Sequence, residues 1–194
     1  FLKAMFIILF TSNFIFKFIT SNIVRFGHLN HISYINNFSK NDPKVRFIDK
    51  LPDNYKIKIT NHQASSIIKQ LDNVNTNLNI RIENAYLYYE NLKNIKNIII
   101  PPFNNDLSNG YLNFPIQYKN REDLLNYLFI NKRDIAKYFY RNCNSLKIFK
   151  KYSKNLPFVE KVVDEIIILP TYPTYKKKQI IKNLELIKYY FNLK

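Results

Sequence analysis

Cys143 is the lone cysteine of this 194-residue sequence and the side chain best suited to covalent chemistry. A cysteine nucleophile needs a nearby base to take its proton. The three histidines, His28, His31 and His62, lie far from it in the sequence. We therefore expect a packed or idle thiol. A single cysteine also excludes an intramolecular disulfide and a metal site built from several cysteines.

Two other groups of side chains could bind ligands. His28 and His31 stand three residues apart, which could place both imidazoles on one helical face, but no third metal ligand accompanies them. The net charge of +16 arises in a background rich in Asn, Ile, Lys, Phe and Tyr, as an A+T-biased genome would produce. The most basic stretch surrounds Phe149 and Tyr152, without a signature of the usual nucleic-acid-binding modules. We predict neither a metal site nor nucleic-acid binding.

Apolar residues spaced three or four positions apart predict a long helix within residues 58–100. Thr60 or Asn61 would be its N-cap, and it would continue for about nine turns. A β-branched run, Ile98–Ile100, then predicts a short strand, which a pair of prolines ends. The apolar positions of the helix are Ile67, Leu71, Val74, Leu78, Ile82, Ala85, Tyr89 and Leu92.

The second half of the sequence alternates short strands with helices, which predicts an α/β layer sandwich. The predicted strands are residues 111–118, 135–140 and 167–169. The predicted helices are residues 121–130, 158–166 and 177–191, with a helical turn at 146–152.

The opening 24 residues are strongly apolar and have three open interpretations. Lys3 and Lys17 leave about thirteen uncharged residues between them, fewer than the ~20 that span a bilayer. The segment could be a helix packed in a larger fold, a helix lying at a membrane interface, or a signal peptide or anchor. From Arg25 to Asp53 the pattern breaks up into a connecting stretch, with a short extended piece at 45–48. Because the sequence begins with Phe1, we expect a chain truncated at its start.

Three stretches, taken in order, carry a resemblance to a known family. KITNHQASSIIKQLDNVNTNLNIRIENAYLYYENL is similar to the family's R-M-S-x-x-Q-A-A helix. NFPIQYKNREDLLNYLFINKRDIAKYFY resembles the strand, helix and strand that begin its small domain. LPFVEKVVDEIIILPTYPTYKKKQIIKNLELIKYYF is similar to its closing P-x-A-E and L-P-x-Y-P motifs and final helix. The family is DegT/DnrJ/EryC1/StrS, pyridoxal-phosphate-dependent aminotransferases that act on nucleotide-linked keto sugars.

The resemblance implies an α/β fold, the C-terminal portion of a fold-type I transferase that works as a homodimer. Residues 1–57 would be the end of the large domain, or an inserted apolar helix plus connector. Residues 58–100 would be the long linking helix and strand, and residues 101–194 the C-terminal small α/β two-layer domain. The Schiff-base lysine, the acid that pairs with the pyridine nitrogen and the phosphate-binding turn belong to an upstream part. We therefore expect that this chain does not transaminate by itself.

The resemblance also assigns site residues. Residues just before the family's long helix reach the phosphate of pyridoxal 5'-phosphate in the neighbouring subunit, and that register holds Lys56 and Lys58 in place of Asn and Arg. Lysine pairs with phosphate as a point charge but loses the bidentate fork. The substrate-side turn, which often carries histidine, here holds Tyr138, Arg141 and Asn142. Arg141 could meet a diphosphate and Tyr138 could stack on a base or sugar, although solvated lysines, a surface arginine and a core tyrosine are equally economical interpretations.

The first functional hypothesis is the C-terminal part of a cytoplasmic aminotransferase that makes amino sugars for polysaccharide biosynthesis. Its expected partners are a nucleotide-sugar substrate, an amino-acid donor and a second copy of the chain. The alternative is a non-catalytic relative or a membrane-associated interaction domain, with peripheral membrane contact through residues 1–24. The lysines in the cofactor register, the missing histidine and the apolar start support that alternative.

Overall fold

The computed structural model describes four stretches of the chain: residues 12–35, 50–104, 108–135 and 142–192. The chain divides into two compact units. The first unit contains the described residues 12–35 together with Phe129–Lys132, and the second contains the other described residues.

The first unit is built on a continuous helical run, here called the N-terminal helical segment. It consists of Asn13–Ile15, the π-helical Phe16–Thr20, and helix α1, Ser21–Leu29. His28 is buried, with its ring centroid 4.4 Å from that of Phe129. Gly27 is buried against Ile35, and a Cβ at Gly27 would lie 2.7 Å from the Ile35 Cβ. Within the described residues, no helix is long and apolar enough to cross a membrane.

In the second unit, the predicted long helix is in fact two helices. Helix α2 spans Asn61–Leu71 and helix α3 spans Val74–Leu92, with a turn between them. At that turn Asn73 has φ −103° and ψ 2°, and its side-chain amide donates to the carbonyl of Lys69 at 3.3 Å. Asp and Asn side chains that bond to nearby backbone groups compete in this way with the hydrogen bonds of the helical backbone. The apolar spacing runs through the turn unchanged, so the periodicity does not show the break.

The two ends of this helical region differ in how well the sequence predicted them. Thr60 is the N-cap of α2, as expected, and forms a capping box with Gln63. The Thr60 hydroxyl accepts from the Gln63 N–H at 3.3 Å, and the Gln63 side chain accepts from the Thr60 N–H at 2.8 Å. At the other end, the strand expected at Ile98–Ile100 is reduced to one isolated bridge between Ile99 and Gln117.

The described sheet has two antiparallel strands, β1, Asn113–Gln117, and β2, Ile166–Pro170. Phe114 and Ile116 are buried on one face of β1, with Leu169 and Ile167 opposite them. Residues of β1 alternate between buried and half-buried, as expected for a strand with one covered face. In β2 four consecutive residues are buried, so both faces of this strand are covered.

The remaining helices follow the sequence predictions closely. They are α4, Arg121–Ile130; α5, Pro157–Glu165; and α6, Lys177–Asn192. The expected helical turn is the 3-10 helix Lys147–Tyr152. The extended piece predicted at 45–48 lies outside the described residues, as does the strand predicted at 135–140 except for the buried Ile135.

Helix α3 is the central element of the second unit, since it packs against both α6 and strand β1. The Tyr88 ring of α3 stacks on the Phe114 ring of β1 with centroids 5.6 Å apart. Side chains of this core that are fully buried include Leu92, Leu124, Leu125, Leu128, Ile167, Leu169, Ile180 and Ile187. The α/β fold expected from the sequence is therefore present, with helices covering a small sheet.

Asn183 of α6 makes the deepest polar contacts of this core. Its amide nitrogen donates to the Tyr88 hydroxyl at 3.0 Å, and its oxygen accepts from the Tyr175 hydroxyl at 3.1 Å. All three side chains are buried. Because a buried polar group without a partner is destabilising, this amide fixes α6 against α3 in one register.

A second buried polar cluster ties α3 to the end of the sheet. The Asn84 amide donates to the carbonyl of Thr171 at 3.0 Å. The Thr171 hydroxyl is shared between the carbonyls of Tyr111, at 2.6 Å, and Leu112, at 3.0 Å. These bonds satisfy backbone groups at the end of the ladder where Asn113 pairs with Pro170, as buried backbone requires.

Replacing the buried amide tests its role. Asn183→Ala would leave the Tyr88 and Tyr175 hydroxyls buried without their partner, so we expect the free energy of unfolding to fall by about 3 kcal/mol. Denaturant titration followed by circular dichroism measures this change. The control is Lys182→Ala at the adjacent exposed position, for which we expect a change of about 0.5 kcal/mol or less. Equal effects of the two substitutions would contradict the assignment.

The buried tyrosines predict a loss of stability at alkaline pH. Burial raises the pKa of Tyr88, and also that of Tyr175, above the ordinary value of 10.0. The unfolded chain therefore releases these protons first, and the free energy of unfolding should fall as pH rises above that value. Denaturant midpoints measured across this pH range test the effect. The decline should be shallower in Tyr88→Phe and unchanged in Tyr152→Phe, a substitution of an exposed tyrosine.

Candidate functional site

Lys56 and Lys58, the predicted cofactor-binding residues, lie on the exposed approach to helix α2. Lys56 ends the 3-10 helix Asp53–Lys56, and its Nζ lies 3.5 Å from the Asp53 carboxylate. Both side chains of this pair are mainly solvent-exposed, so the pair is weak. Lys58 is also exposed and has no ion pair in the described part of the chain. Two ammonium groups without strong partners fit the chemistry of a phosphate ligand.

The backbone of this approach is fixed at both ends. Pro52 precedes the 3-10 helix, and Ile57 is extended with φ −76° and ψ 127°. Thr60 is also extended and begins α2 through its capping box. Lys56 therefore ends the 3-10 helix, and Lys58 lies on the short extended link between that helix and α2.

Asn142 is the one predicted substrate-binding residue that the structure describes, and it holds its own turn. Its side-chain oxygen accepts from the Asn144 N–H at 3.0 Å and caps the 3-10 helix Cys143–Ser145. Its backbone carbonyl accepts from the Ser145 hydroxyl at 2.9 Å. The other two candidates, Tyr138 and Arg141, lie outside the described residues.

Two hydrogen bonds between Asn144 and Lys154 stabilise the loop after Asn142. The Asn144 amide donates to the Lys154 carbonyl at 2.6 Å, and the Lys154 N–H donates back to the Asn144 oxygen at 2.7 Å. Cys143 is exposed on this loop. In the described residues, no hydrogen bond or ion pair joins Asn142 to Lys56 or Lys58.

Tyr172 and Asp134 form a polar pair that no sequence motif predicted. The Tyr172 hydroxyl donates a short hydrogen bond to the Asp134 carboxylate. Burial, followed by this carboxylate, raises the pKa of the Tyr172 hydroxyl. Tyr172 had been noted only as part of the L-P-x-Y-P motif, and Asp134 comes four residues before Tyr138. The partners are 38 residues apart, so no local pattern could have paired them.

The histidine pair does not form a metal site in the structure. His28 is buried against an aromatic ring, whereas His31 is exposed and adopts a positive φ of 54°. In the part of the chain that the structure describes, no group of three or more His, Cys, Asp or Glu side chains could hold a metal ion.

Solved structures share this fold. An aminotransferase of the DegT DnrJ EryC1 StrS type from Brucella abortus is 20% identical, with a TM-score of 0.58 over 64% of this chain and 34% of that one. NtdA from Bacillus subtilis with bound cofactor PMP is 20% identical, with a TM-score of 0.64 over 78% and 36%. DesI in the presence of its TDP-sugar product is 16% identical, with a TM-score of 0.55 over 62% and 33%. The chain thus spans about a third of the length of these relatives.

The family assignment comes from the sequence itself. A comparison with curated proteins gave no match. The model of the DegT/DnrJ/EryC1/StrS aminotransferase family matches residues 29–187, which include α2 to α5, both strands and most of α6. The resemblance found in the three motifs is thereby confirmed. This chain belongs to the DegT/DnrJ/EryC1/StrS aminotransferase family.

Proposed function

We propose that this chain is the C-terminal part of a pyridoxal-phosphate-dependent aminotransferase that acts on nucleotide-linked keto sugars. The product would be an amino sugar for polysaccharide biosynthesis, and the working form a homodimer in the cytoplasm. The family match over residues 29–187 is the observation that carries the proposal. Two structural relatives support its details, since one was solved with PMP and another in the presence of a TDP-sugar product.

In this proposal the chain supplies geometry and charge. When bound, the cofactor supplies the electron sink that amino-group transfer needs. Lys56 and Lys58 would hold its phosphate by charge-assisted hydrogen bonds. Their exposure on the approach to α2 supports this role, because a phosphate from outside the second unit can reach them. The family's arrangement places that phosphate in the neighbouring subunit, so dimerisation would complete the site.

The proposed substrate side centres on the stretch between Asp134 and Asn142. Arg141 would bind the diphosphate of the nucleotide sugar, and Tyr138 would stack on its base or sugar. The structure describes the residues at the two ends of this stretch. Asp134 is bonded to Tyr172 after strand β2, and Asn142 caps the turn that follows.

The second candidate is a non-catalytic relative that keeps the fold. One observation favours it: the side-chain oxygen of Asn142 is already used by its own turn, which leaves only the amide nitrogen for a substrate. Lys56 and Lys58 also cannot form the two parallel hydrogen bonds that arginine makes with a phosphate, which again favours a non-catalytic relative. The test of activity below separates the two candidates.

Activity is tested on the protein made from the gene's natural start. With pyridoxal phosphate, glutamate and a nucleotide-linked keto sugar, we expect 2-oxoglutarate and an amino sugar, both identified by mass spectrometry. Omitting the keto sugar is the control and should stop net turnover. A folded protein that binds no cofactor and releases no 2-oxoglutarate would reject the aminotransferase and favour the non-catalytic relative.

The cofactor role of the two lysines has its own test. Lys56→Ala and Lys58→Ala should each raise the Kd for pyridoxal phosphate by about tenfold, because each removes a cation from the phosphate. Fluorescence titration of the same natural-start protein measures the Kd. The control is Lys69→Ala, a substitution of an exposed lysine on α2. If all three variants bind the cofactor as the parent does, Lys56 and Lys58 are solvated lysines without a role in binding.

A further inference from the structure

The N-terminal helical segment exposes an aromatic and aliphatic face. Phe16, Ile19, Ile23 and Phe26 recur along this segment, and the last three, at the spacing i, i+4 and i+7, lie on one side of the helix. Each of the four has about half or more of its surface exposed, and Phe14, flanking them, is 72% exposed. This face is therefore apolar and open over the whole length of the segment.

The covered side of the same segment is less apolar than the exposed side. The residues of the segment that are buried or half-buried are Ile15, Thr20, Ser21, Val24, Arg25, Gly27, His28 and Leu29. A surface helix of a soluble domain has the opposite arrangement, with its apolar stripe against the core. Large exposed apolar patches mark a surface that binds a partner or a membrane.

Family membership does not explain this face. The matched residues begin at position 29, where α1 ends, so the segment precedes the part of the chain that the family model describes. The face belongs to the first unit, whereas the lysines and the sheet discussed above belong to the second. A function of the face is therefore separate from the proposed aminotransferase site.

Charge indicates which partner the face fits. The first 41 residues contain no Asp or Glu, and their cations are Lys3, Lys17, Arg25 and Lys40. The chain as a whole carries +16. The same segment of a second copy would bring like charges together, whereas an anionic lipid surface attracts each cation near it. Since no described helix could span a bilayer, a helix bound here would lie in the plane of the interface.

We propose that the N-terminal helical segment binds the surface of an anionic lipid bilayer. The face formed by Phe16, Ile19, Ile23 and Phe26 enters the boundary between headgroups and acyl chains. Arg25 lies within the same segment and meets the anionic headgroups. The segment holds the rest of the chain at the membrane without crossing it.

The chain has no tryptophan, which permits a direct test. In Phe26→Trp, the single indole should shift its emission to the blue with vesicles of phosphatidylcholine and phosphatidylserine. The shift should be weaker with phosphatidylcholine alone. Co-sedimentation of the unsubstituted Phe1–Lys194 chain with the same vesicles gives the partition coefficient. High salt should lower it, since exposed charges are screened.

Substitutions within the segment make the test specific. Phe14→Ser and Phe16→Ser should each lower the partition coefficient about tenfold, from the burial free energy of a phenylalanine. Arg25→Gln should lower it about fivefold. The matched control is Leu112→Ser, because Leu112 is 71% exposed in the second unit, and it should leave partitioning unchanged.

Three outcomes would overturn the proposal. The first is equal partitioning of the Phe14, Phe16 and Leu112 variants. The second is a blue shift of the Phe26→Trp emission that grows with protein concentration without vesicles, which would identify a second copy as the occupant. The third is loss of vesicle binding in the protein made from the gene's natural start, which would identify upstream polypeptide as the cover of this face.

Discussion

The buried side-chain amide of Asn183 connects helix α6 to helix α3 and to the segment between β2 and α6. It joins Tyr88 of α3 to Tyr175, which lies between β2 and α6, in a region where neither hydroxyl meets water. Apolar packing alone would allow α6 to slide along α3 by a helical turn, since leucines and isoleucines interchange with modest loss. A polar group that must be satisfied permits one register only. The fold around the sheet therefore owes its uniqueness to a few polar atoms.

The elements of the fold were predictable where local signals were strong. Helix α4 begins at Arg121, with Glu122 and Asp123 in its first turn, and the sequence predicted both of its ends. The turn at Asn73 was not predictable from periodicity, because apolar residues keep their spacing across it. The pairings of Asn183 with Tyr88 and of Tyr172 with Asp134 span 95 and 38 residues. A sequence pattern that covers only a few neighbouring residues cannot predict contacts between residues so far apart.

The candidate site was predictable only in part, for a related reason. Lys56 and Lys58 were found through their register before α2, and the structure describes them on an exposed link. Asn142 was predicted to meet a substrate, but its oxygen turns inward to cap Cys143–Ser145. An asparagine can satisfy its own backbone as readily as it binds a ligand, and sequence alone does not separate these uses.

The turn between α2 and α3 has a mechanical consequence. None of the residues of α2 is buried, whereas those of α3 enter the core from Ile82 onward. Helix α2 can therefore open and close as a local unit while the core stays folded, and its amide hydrogens would exchange through that local opening. A ligand that binds ahead of α2 would use part of its binding free energy to order this helix. The affinity for a ligand bound ahead of α2 and the free energy of unfolding of the core would then be nearly independent.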